Sequence, residues 1–367
     1  MGISSLIVIA NGQPVIPIDD SGAITGYVNA LPVALGVSAA TAAAVPASYA
    51  PGGTPITGTG RIAYSNAAVA YYDQGTPYTA DGRIATGAGP AVRYDQGTPY
   101  NAAGQIVVQS AAPPTVPADL FLAGELGCWL DPSDLSTMWQ DSAKTTPVTA
   151  AGQPVGAIND KSGRGLHFTQ ATAASRPILQ TEGGRNYLDF DGTDDGMVSA
   201  ASINYAAANG KITVWVGLYK GAPESAAGQI IEFSPSSGAN SNCFAMQGPP
   251  GDLNGYFWRS RGVSGGDGTI DLSGYPAPIK NVVVGIGDVA ADISTIRVDS
   301  VATTVNTDQG TGGYGTYQFF LGRRGGTTFP FRGRIYGLIM RGTVTSTPQQ
   351  ILDIERYMGT KTGVTIP

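Results

Sequence analysis

The stretch that most constrains the fold spans residues 188–195 and reads LDFDGTDD. Its two apolar residues, Leu188 and Phe190, alternate with aspartates, which is the period of a strand with one buried side and one solvent-facing side. Gly192 follows, and a glycine at this point permits a tight reversal in which the neighbouring carboxylates can accept hydrogen bonds from backbone N–H groups. The pattern therefore predicts a half-buried strand that runs directly into an acidic turn.

The composition favours many short strands joined by turns. Glycine and proline account for 52 and 25 of the 367 residues, while only 13% of the residues are charged. Long solvated helices need more charge and fewer helix breakers than this. The starting expectation is therefore an all-β protein.

The charge balance and the apolar segments exclude two classes of partner. The net charge is −6, and the lysines and arginines form no run that could neutralise a phosphate backbone, so we do not expect nucleic acid as a partner. The first apolar run, residues 6–10, is short and has no Lys or Arg before it. No stretch approaches the ~20 apolar residues that span a bilayer. We therefore expect no secretion signal and no membrane segment, and a protein that folds in a cytoplasm.

Four segments upstream of the acidic turn complete a recognisable series. They are Trp129–Ser136 (WLDPSDLS), Thr146–Val155 (TPVTAAGQPV), Asn159–Gly165 (NDKSGRG) and Gln170–Pro177 (QATAASRP). Together with the acidic turn, which matches an "FDGxDD" pattern, the series resembles the phage-type laminin-G-like domain. The resemblance covers roughly residues 120–367 and implies a concanavalin A-like two-sheet jelly-roll sandwich with a terminal helix. It does not cover the first 115 residues.

Those first 115 residues differ in composition from the rest of the chain. They contain no Lys, Glu, Cys or Trp and only eight charged side chains. A monomeric domain with so few charges has little to keep it soluble. We therefore expect this region to lie against another protein surface.

A repeat with a period of 22 residues runs through the second half of this region. The three copies read GTPITGTGRIA at 53–63, GTPYTADGRIA at 75–85 and GTPYNAAGQIV at 97–107. Each copy offers an extended X-Pro piece, a glycine turn and a short strand, which cannot bury an apolar face alone and must stack on a neighbour. Two interpretations stay open: successive hairpins of a small β domain, or an elongated attachment segment of repeated units.

A proline-rich segment predicts the domain boundary. Residues 111–118 have the composition of a semi-rigid linker, and Lys, Glu, Cys and Trp first occur after it. We therefore divide the chain into an N-terminal attachment region over 1–110, this linker, and a sandwich domain over 119–367, so that an extended β-repeat region precedes the sandwich. An alanine-rich segment predicts a short helix over 39–44 within the N-terminal region.

Within the predicted sandwich, several segments alternate as strands do. Residues 212–218 place aliphatic side chains at every second position, with Trp215 on the opposite face together with Tyr219. Residues 281–287 form an apolar run that suits the centre of a sheet. Asp299-Ser300 predicts the two-residue turn of a hairpin.

One helix is well signalled near the end of the chain. Thr347 is a suitable N-cap and Pro348 suits the first helical position. Apolar residues at 351, 354 and 358 form a stripe with helical spacing. Gly359 then predicts the end of the helix.

The concanavalin A-like fold also hosts glycoside hydrolases, so an enzymatic interpretation has to be considered. Retaining glucanases of this fold place two carboxyl groups about 5 Å apart with the spacing Glu-x-Asp-x-Glu on one face of a strand. No glutamate of this chain has that neighbourhood, His167 is the sole histidine, and no Gly-Lys-Ser/Thr phosphate motif occurs. The sequence therefore predicts that the chain is not an enzyme and that His167 has a structural role.

The acidic turn is the candidate metal site. Asp191, Asp194 and Asp195 supply three hard oxygen ligands within five residues, and such turns hold Ca²⁺ in related folds. The alternative is that Asp191 and Asp194 accept hydrogen bonds from backbone N–H groups, which needs no metal. We favour the second interpretation, so no cofactor is expected unless the turn binds Ca²⁺.

Aromatic residues are the candidates for carbohydrate binding. Trp258, Tyr256 and Trp215 could each offer a platform for a sugar, and the alternative is that they are half-buried core residues. Cys128 and Cys243 are too few for a disulfide framework and are expected to be free buried thiols.

Together with the resemblance, these features predict a non-enzymatic structural protein of a bacteriophage virion. It would be a capsid decoration or head fibre, or a tail fibre, localised to the virion. Residues 1–115 would contact other virion proteins and form a homotrimer, by analogy with symmetric phage fibres. The alternative is an adhesin that binds a polysaccharide of the host surface.

Overall fold

The structure is a computed structural model that describes residues 114–205, 210–223, 227–251, 254–263, 266–325 and 327–367, and before them twelve short strands and Ala103. The chain forms two compact units, Met1–Pro113 and Pro114–Pro367. Their boundary falls inside the proline-rich segment 111–118.

The N-terminal unit consists, in its described part, of short strands. These are β1 (Val8–Ala10), β2 (Gln13–Ile18), β3 (Ile24–Tyr27), β4 (Ser48–Tyr49), β5 (Pro55–Ile56), β6 (Tyr64–Ser65), β7 (Tyr71–Asp73), β8 (Thr76–Tyr78), β9 (Ile84–Gly87), β10 (Arg93–Asp95), β11 (Thr98–Tyr100) and β12 (Ile106–Val107). The helix predicted over 39–44 lies outside the described residues.

The 22-residue repeats share one strand pattern. β7 and β8 form a hairpin with Asp73 opposite Thr76, and β10 and β11 form the equivalent hairpin with Asp95 opposite Thr98. The strand that follows the first hairpin, β9, runs parallel to both β6 and β12. The strands that end successive copies therefore pair with one another, as units that cannot be completed alone are expected to do.

The second unit contains nineteen strands in its described residues. They are β13 (Gly127–Leu130), β14 (Met138–Trp139), β15 (Ala157–Ile158), β16 (Phe168–Thr169), β17 (Ile178–Glu182), β18 (Arg185–Asp191), β19 (Met197–Ser199), β20 (Ile203–Asn204), β21 (Lys211–Lys220), β22 (Gln229–Phe233), β23 (Cys243–Gln247), β24 (Gly255–Arg261), β25 (Ile270–Ser273), β26 (Ile279–Asp288), β27 (Ile293–Val298), β28 (Val301–Val305), β29 (Thr316–Tyr317), β30 (Phe319–Leu321) and β31 (Arg332–Gly342). Short 3₁₀ turns lie at Pro117–Phe121, Leu135–Thr137, Ala173–Ser175 and Val289–Ala291.

Two antiparallel sheets form a sandwich. The eight-stranded sheet has the order β17-β18-β31-β21-β26-β27-β28, with β13 also paired to β31. The nine-stranded sheet has the order β14-β15-β16-β19-β30-β22-β23-β24-β25. A β-rich protein with a two-sheet sandwich and a terminal helix is therefore confirmed.

The main apolar core lies between the two sheets. Val214, Val216 and Leu218 of β21 are fully buried in it, and Phe244 and Trp258 meet them from the nine-stranded sheet. Each fully buried side chain of this size stabilises the fold by about 1.5–3 kcal/mol. The predicted alternation in β21 is therefore what places this strand on the core.

A second apolar layer lies on the opposite face of the eight-stranded sheet. Trp215, Val282 and Ile339 pack there against Ile354 and Met358 of the helix α1 (Pro348–Thr362). The central strands are thus buried on both faces. This explains why residues 281–287 read as a continuous apolar run.

The helix begins as predicted but ends later. Thr347 Oγ1 accepts a hydrogen bond from the N–H of Gln350 (3.2 Å), and Gln350 Oε1 accepts one from the N–H of Thr347 (3.0 Å), which completes a capping box. The end predicted at Gly359 is wrong: the helix continues to Thr362, and Gly363 caps it with φ of 83°. Gly359 serves close packing instead, because a Cβ there would lie 2.6 Å from the carbonyl oxygen of Val364.

The predicted hairpin turn is present. Asp299 and Ser300 join β27 to β28 with φ values of 48° and 71°, as a turn with two left-handed residues requires. No helix in the described ranges has the length and apolar content that crossing a membrane requires.

Candidate functional site

The acidic turn follows directly on β18. Gly192 has φ of 75°, and a Cβ there would lie 2.6 Å from Cβ of Arg332, so both the backbone conformation and the close approach require glycine. Asp191 Oδ1 accepts hydrogen bonds from the N–H groups of Thr193 (2.7 Å) and Asp194 (3.3 Å). Asp191 therefore organises the backbone of the turn.

The other two aspartates connect the turn to its surroundings. Asp194 Oδ2 accepts a hydrogen bond from the Ser175 hydroxyl (2.7 Å), and the Asp194 carbonyl accepts one from Arg323 Nη1 (2.6 Å). Asp195 Oδ2 accepts one from the N–H of Asp191 (2.9 Å). The expectation that the Asp194 carboxylate accepts from a backbone N–H is corrected, because the neighbouring 3₁₀ turn supplies a hydroxyl donor.

The three carboxylates converge. One oxygen from each of Asp191, Asp194 and Asp195 lies within 4.8 Å of the others, and such a donor set fits a hard cation such as Ca²⁺. Burial, together with the neighbouring carboxylates, raises the pKa of Asp195 to about 6. Each of the three carboxylates also accepts a hydrogen bond from the protein, as the turn-forming interpretation expects for Asp191 and Asp194.

A groove of about 490 Å³ opens beside the turn on the outer face of the eight-stranded sheet, and it is named the Asp189 groove. Its lining residues are Asp189, Phe190, Asp191, Thr193, Tyr219, Gly221, Ala222, Arg332, Gly333 and Arg334. Strand register brings them together. Asp189 and Asp191 lie opposite Arg334 and Arg332 of β31, and Tyr219 of β21 lies opposite Arg334 from the other side.

One arginine of the groove is held firmly. The Arg334 guanidinium lies 4.7 Å from the ring of Tyr187 and 4.6 Å from the ring of Tyr219, and Nη1 lies 3.1 Å from a carboxylate oxygen of Glu182. Burial acts against its charge, but hydrogen bonds to Tyr336 and Glu182 raise the pKa of Arg334. The position of its guanidinium is therefore fixed, while its carboxylate partner Glu182 is shared with Lys280.

Two charged side chains of the groove, Asp189 and Arg332, are not held by hydrogen bonds or ion pairs within the described residues. Among the described residues, no hydrogen bond or ion pair reaches the carboxylate of Asp189 or the guanidinium of Arg332. Asp189 is half-buried while Arg332 is exposed. Burial raises the pKa of Asp189, Arg334 opposes that change, and the charge of Asp191 adds to it. The groove thus presents an unpaired acceptor and an unpaired donor to the same space.

Arg332, Arg334 and Tyr219 are not among the site residues predicted from the sequence. A partial signal existed, because Arg332 and Arg334 are two residues apart in a strand and must share a face. Their approach to Asp189 depends on the pairing of β31 with β18 and with β21, which lie more than a hundred residues earlier. Local periodicity does not contain that register.

The aromatic residues predicted as sugar platforms are core residues. Trp258, Tyr256 and Trp215 are each 0% exposed. A platform needs a free ring face, so the prediction that these three bind carbohydrate is wrong. Tyr256 donates toward Asn281 Oδ1 (2.9 Å) and Trp258 Nε1 donates to the Ile286 carbonyl (3.0 Å), so their polar atoms are used inside the fold.

The remaining candidates serve the structure. His167 Nδ1 accepts a hydrogen bond from the N–H of Asp160 (3.0 Å), and burial lowers its pKa. Cys128 and Cys243 are both free and buried. The predictions of a structural histidine and of free thiols agree with this geometry.

No protein-family model and no curated protein matches the chain. Similar solved structures include a Trypanosoma rangeli sialidase (13% identity, TM-score 0.41). The match covers 72% of this chain and 35% of the sialidase chain. They also include an arabinofuranosidase complexed with arabinofuranosyl-alpha-1,2-xylobiose (14% identity, TM-score 0.44), with 68% of this chain and 65% of that one covered. The CBM40 of a Ruminococcus gnavus IT-sialidase matches at 16% identity with a TM-score of 0.34, over 46% of this chain and 96% of its own.

The prediction that the chain is not an enzyme has to be corrected. The similar structures include a sialidase and an arabinofuranosidase, so the comparisons do not separate this sandwich from enzymes. At 13% and 14% identity the likeness concerns the fold alone and assigns neither activity to this chain.

Proposed function

We propose that the chain is a bacteriophage virion protein that attaches through residues 1–115 and displays the sandwich for glycan binding. The position would be that of a capsid decoration, a head fibre or a tail fibre. The motif series from Trp129 to Asp195 supports the family, and the division into two compact units supports separate attachment and display.

The repeat unit supports the attachment role. Strands of successive copies pair in parallel, and the region has only eight charged side chains with which to remain soluble alone. Segments that cannot bury their apolar faces alone commonly do so against symmetric copies of the same chain, and a homotrimer is the proposed oligomeric state. Residues 1–115 alone are expected to sediment as an oligomer. A cooperatively folding monomer in sedimentation and thermal melts would contradict this.

The location on the particle is tested by labelling. Antibodies against the sandwich should decorate intact particles at regular positions on the head or at the tail. Purified particles that lack the protein, while infected cells contain it, would overturn the virion role. The pattern of labelling also decides between head and tail.

The observation that carries glycan binding is the Asp189 groove. It combines two carboxylates, two guanidiniums and the ring of Tyr219 in one concave site, which is the mixture of polar groups and apolar wall that sugars require. A glycan array probed with the full chain is expected to show binding to saccharides of a host surface. Absence of binding to every glycan class would overturn this part of the proposal.

A further inference from the structure

His167 is the sole histidine of the chain, and it lies directly before β16. We propose that His167 makes the loop 160–166 sensitive to acid: its imidazole holds the loop while it is neutral and releases the loop when it takes up a proton. This property concerns a different part of the sandwich from the Asp189 groove and does not depend on a glycan.

The neutral state of the ring is set by a backbone hydrogen bond. The N–H of Asp160 donates to Nδ1 of His167 at 3.0 Å. The lone pair of Nδ1 is used in that bond, so the proton of the neutral ring lies on Nε2. An imidazolium carries a proton on both nitrogens and cannot accept. Uptake of a proton therefore removes the hydrogen bond and turns two N–H groups toward each other.

The charged groups that act on the ring, within the described residues, lie on two loops. Burial and the positive charge of Lys144, on the connection between β14 and β15, lower the pKa of His167 from its ordinary value of 6.5, and the negative charge of Asp160 opposes them. The Lys144 ammonium is held by Oδ1 of Asn159 at 2.6 Å. The fold thus disfavours the imidazolium both through the lost hydrogen bond and through a nearby like charge.

The backbone of His167 stays in place while the ring is released, because its carbonyl accepts a hydrogen bond from the N–H of Ala200 at 3.0 Å. The loop, in contrast, depends on Asp160. The Asp160 carboxylate accepts hydrogen bonds from the N–H groups of Trp129 in β13 (2.8 Å) and of Leu166 (3.2 Å). Acid should therefore loosen the contact between the loop and β13.

The loop also reaches the beginning of the second unit. Arg164 donates a hydrogen bond from Nη2 to the carbonyl of Phe121, at the end of the first 3₁₀ turn of that unit. Release of the loop in acid should therefore also loosen the segment that follows the domain boundary.

The pH range of the effect follows from the lowered pKa. A base whose pKa is lower in the folded than in the unfolded chain binds fewer protons when folded, so its contribution to stability is complete above the unfolded value. That contribution is lost as the pH falls from 6.5 through the folded pKa of His167. Asp195, with a pKa of about 6, titrates in the same range, so the test compares variants that all retain Asp195.

The first measurement is an NMR titration of the full chain without a histidine tag, in which isotope-labelled histidine gives a single imidazole signal. The imidazole should titrate with a pKa below 6.5, and the amide signal of Asp160 should shift with the same midpoint. Lys144→Gln should raise the pKa of His167 toward 6.5, because it removes the nearby positive charge. A pKa of 6.5 or above, or an Asp160 amide that does not respond to the titration, would overturn the proposal.

Hydrogen exchange measures the release of the loop, as a protection factor corrected for the intrinsic pH dependence of exchange. Between about pH 7.5 and about pH 5, the protection of the Asp160 amide in the unaltered chain should fall about three- to tenfold, as loss of one hydrogen bond predicts. His167→Asn places Oδ1 where Nδ1 lies, so it keeps an acceptor that does not titrate, and its protection should not change. His167→Ala has no acceptor and should show low protection at both pH values. An equal loss of protection in acid for the unaltered chain and for His167→Asn would overturn the proposal, because another group would then release the loop.

Discussion

Arg297 and Glu355 form a bidentate ion pair that joins β27 to α1. Nε of Arg297 lies 2.7 Å from Oε1 of Glu355, and Nη2 lies 2.9 Å from Oε2. The Glu355 side chain is 0% exposed, whereas that of Arg297 is 21% exposed. The pair therefore fixes the helix on the sheet at a point where a misplaced helix would leave a charge buried.

Glu355→Gln should lower the free energy of unfolding by about 3 kcal/mol, because removal of one partner leaves the other charge uncompensated. Urea denaturation of the full chain measures the change. The matched control is Glu182→Gln, whose side chain is 48% exposed while it pairs with Lys280 and Arg334. Glu182→Gln should lower the free energy of unfolding by no more than about 1 kcal/mol. Equal losses for the two variants would contradict the assigned difference in burial.

Gly192→Ala tests whether the acidic turn depends on close approach or on backbone conformation alone. Gly184 has nearly the same φ, 76° against 75°, but nothing within 4 Å of an added Cβ. Gly184→Ala should therefore cost only the left-handed conformation, about 1–2 kcal/mol. Gly192→Ala should cost about 1–3 kcal/mol more, because the added methyl group meets Arg332. Chemical denaturation of both variants compares them, and indistinguishable values would refute the role of the contact.

The strands of the sandwich could be predicted because their signal is local. Alternation at 212–218 and the apolar run at 281–287 follow from the pleat of a strand, and both were assigned to the correct kind of position. The error concerning Trp215, Tyr256 and Trp258 has a physical reason. Alternation shows which residues share a face of a strand but not which face the second layer covers, so it cannot separate a core aromatic from an exposed platform.

The acidic turn of the candidate site could be predicted from the sequence, but the groove beside it could not. Asp191 and Gly192 belong to one turn, and the chemistry of a turn is contained in adjacent residues. Asp189, Arg332 and Tyr219 meet through the register of three strands that are distant in the chain. That register depends on the packing of the whole sheet, so the groove could not be derived from any single segment.

The ion pairs of Asp131 should make the free energy of unfolding depend on pH. Burial alone would raise its pKa, but the hydrogen bond and charge of Lys361, together with Lys161, hold the pKa of Asp131 below its ordinary value of 3.8. A carboxyl group with a depressed pKa in the folded state contributes stability that is complete above the unfolded value and is lost as the pH falls through the folded value. The unfolding free energy of the unaltered chain should therefore exceed that of Asp131→Asn near neutral pH. The difference should disappear well below pH 3.8, and a difference that does not change with pH would refute the assignment.

Asp191→Asn and Asp194→Asn should each lower the stability of the sandwich without creating or removing any response to Ca²⁺. A charged acceptor contributes about 1.5–3 kcal/mol per hydrogen bond and an amide contributes less. The carboxylate of Asp191 accepts hydrogen bonds from two backbone N–H groups, and that of Asp194 accepts one from the Ser175 hydroxyl. Asp308→Asn is the control, since Asp308 accepts a single N–H bond from Gly310 (2.7 Å) in an exposed turn.

Thermal melts with added Ca²⁺ and with chelator decide between turn formation and metal binding at this site. An ion that binds only the folded chain would raise its stability by mass action, so the melting temperature would rise with Ca²⁺ and fall in chelator. For a turn that is complete by itself, the unaltered chain and both variants should melt at temperatures that neither addition moves. A large chelator-sensitive shift in the unaltered chain, absent from both turn variants and retained in Asp308→Asn, would instead make Asp191, Asp194 and Asp195 the ligands of a cation.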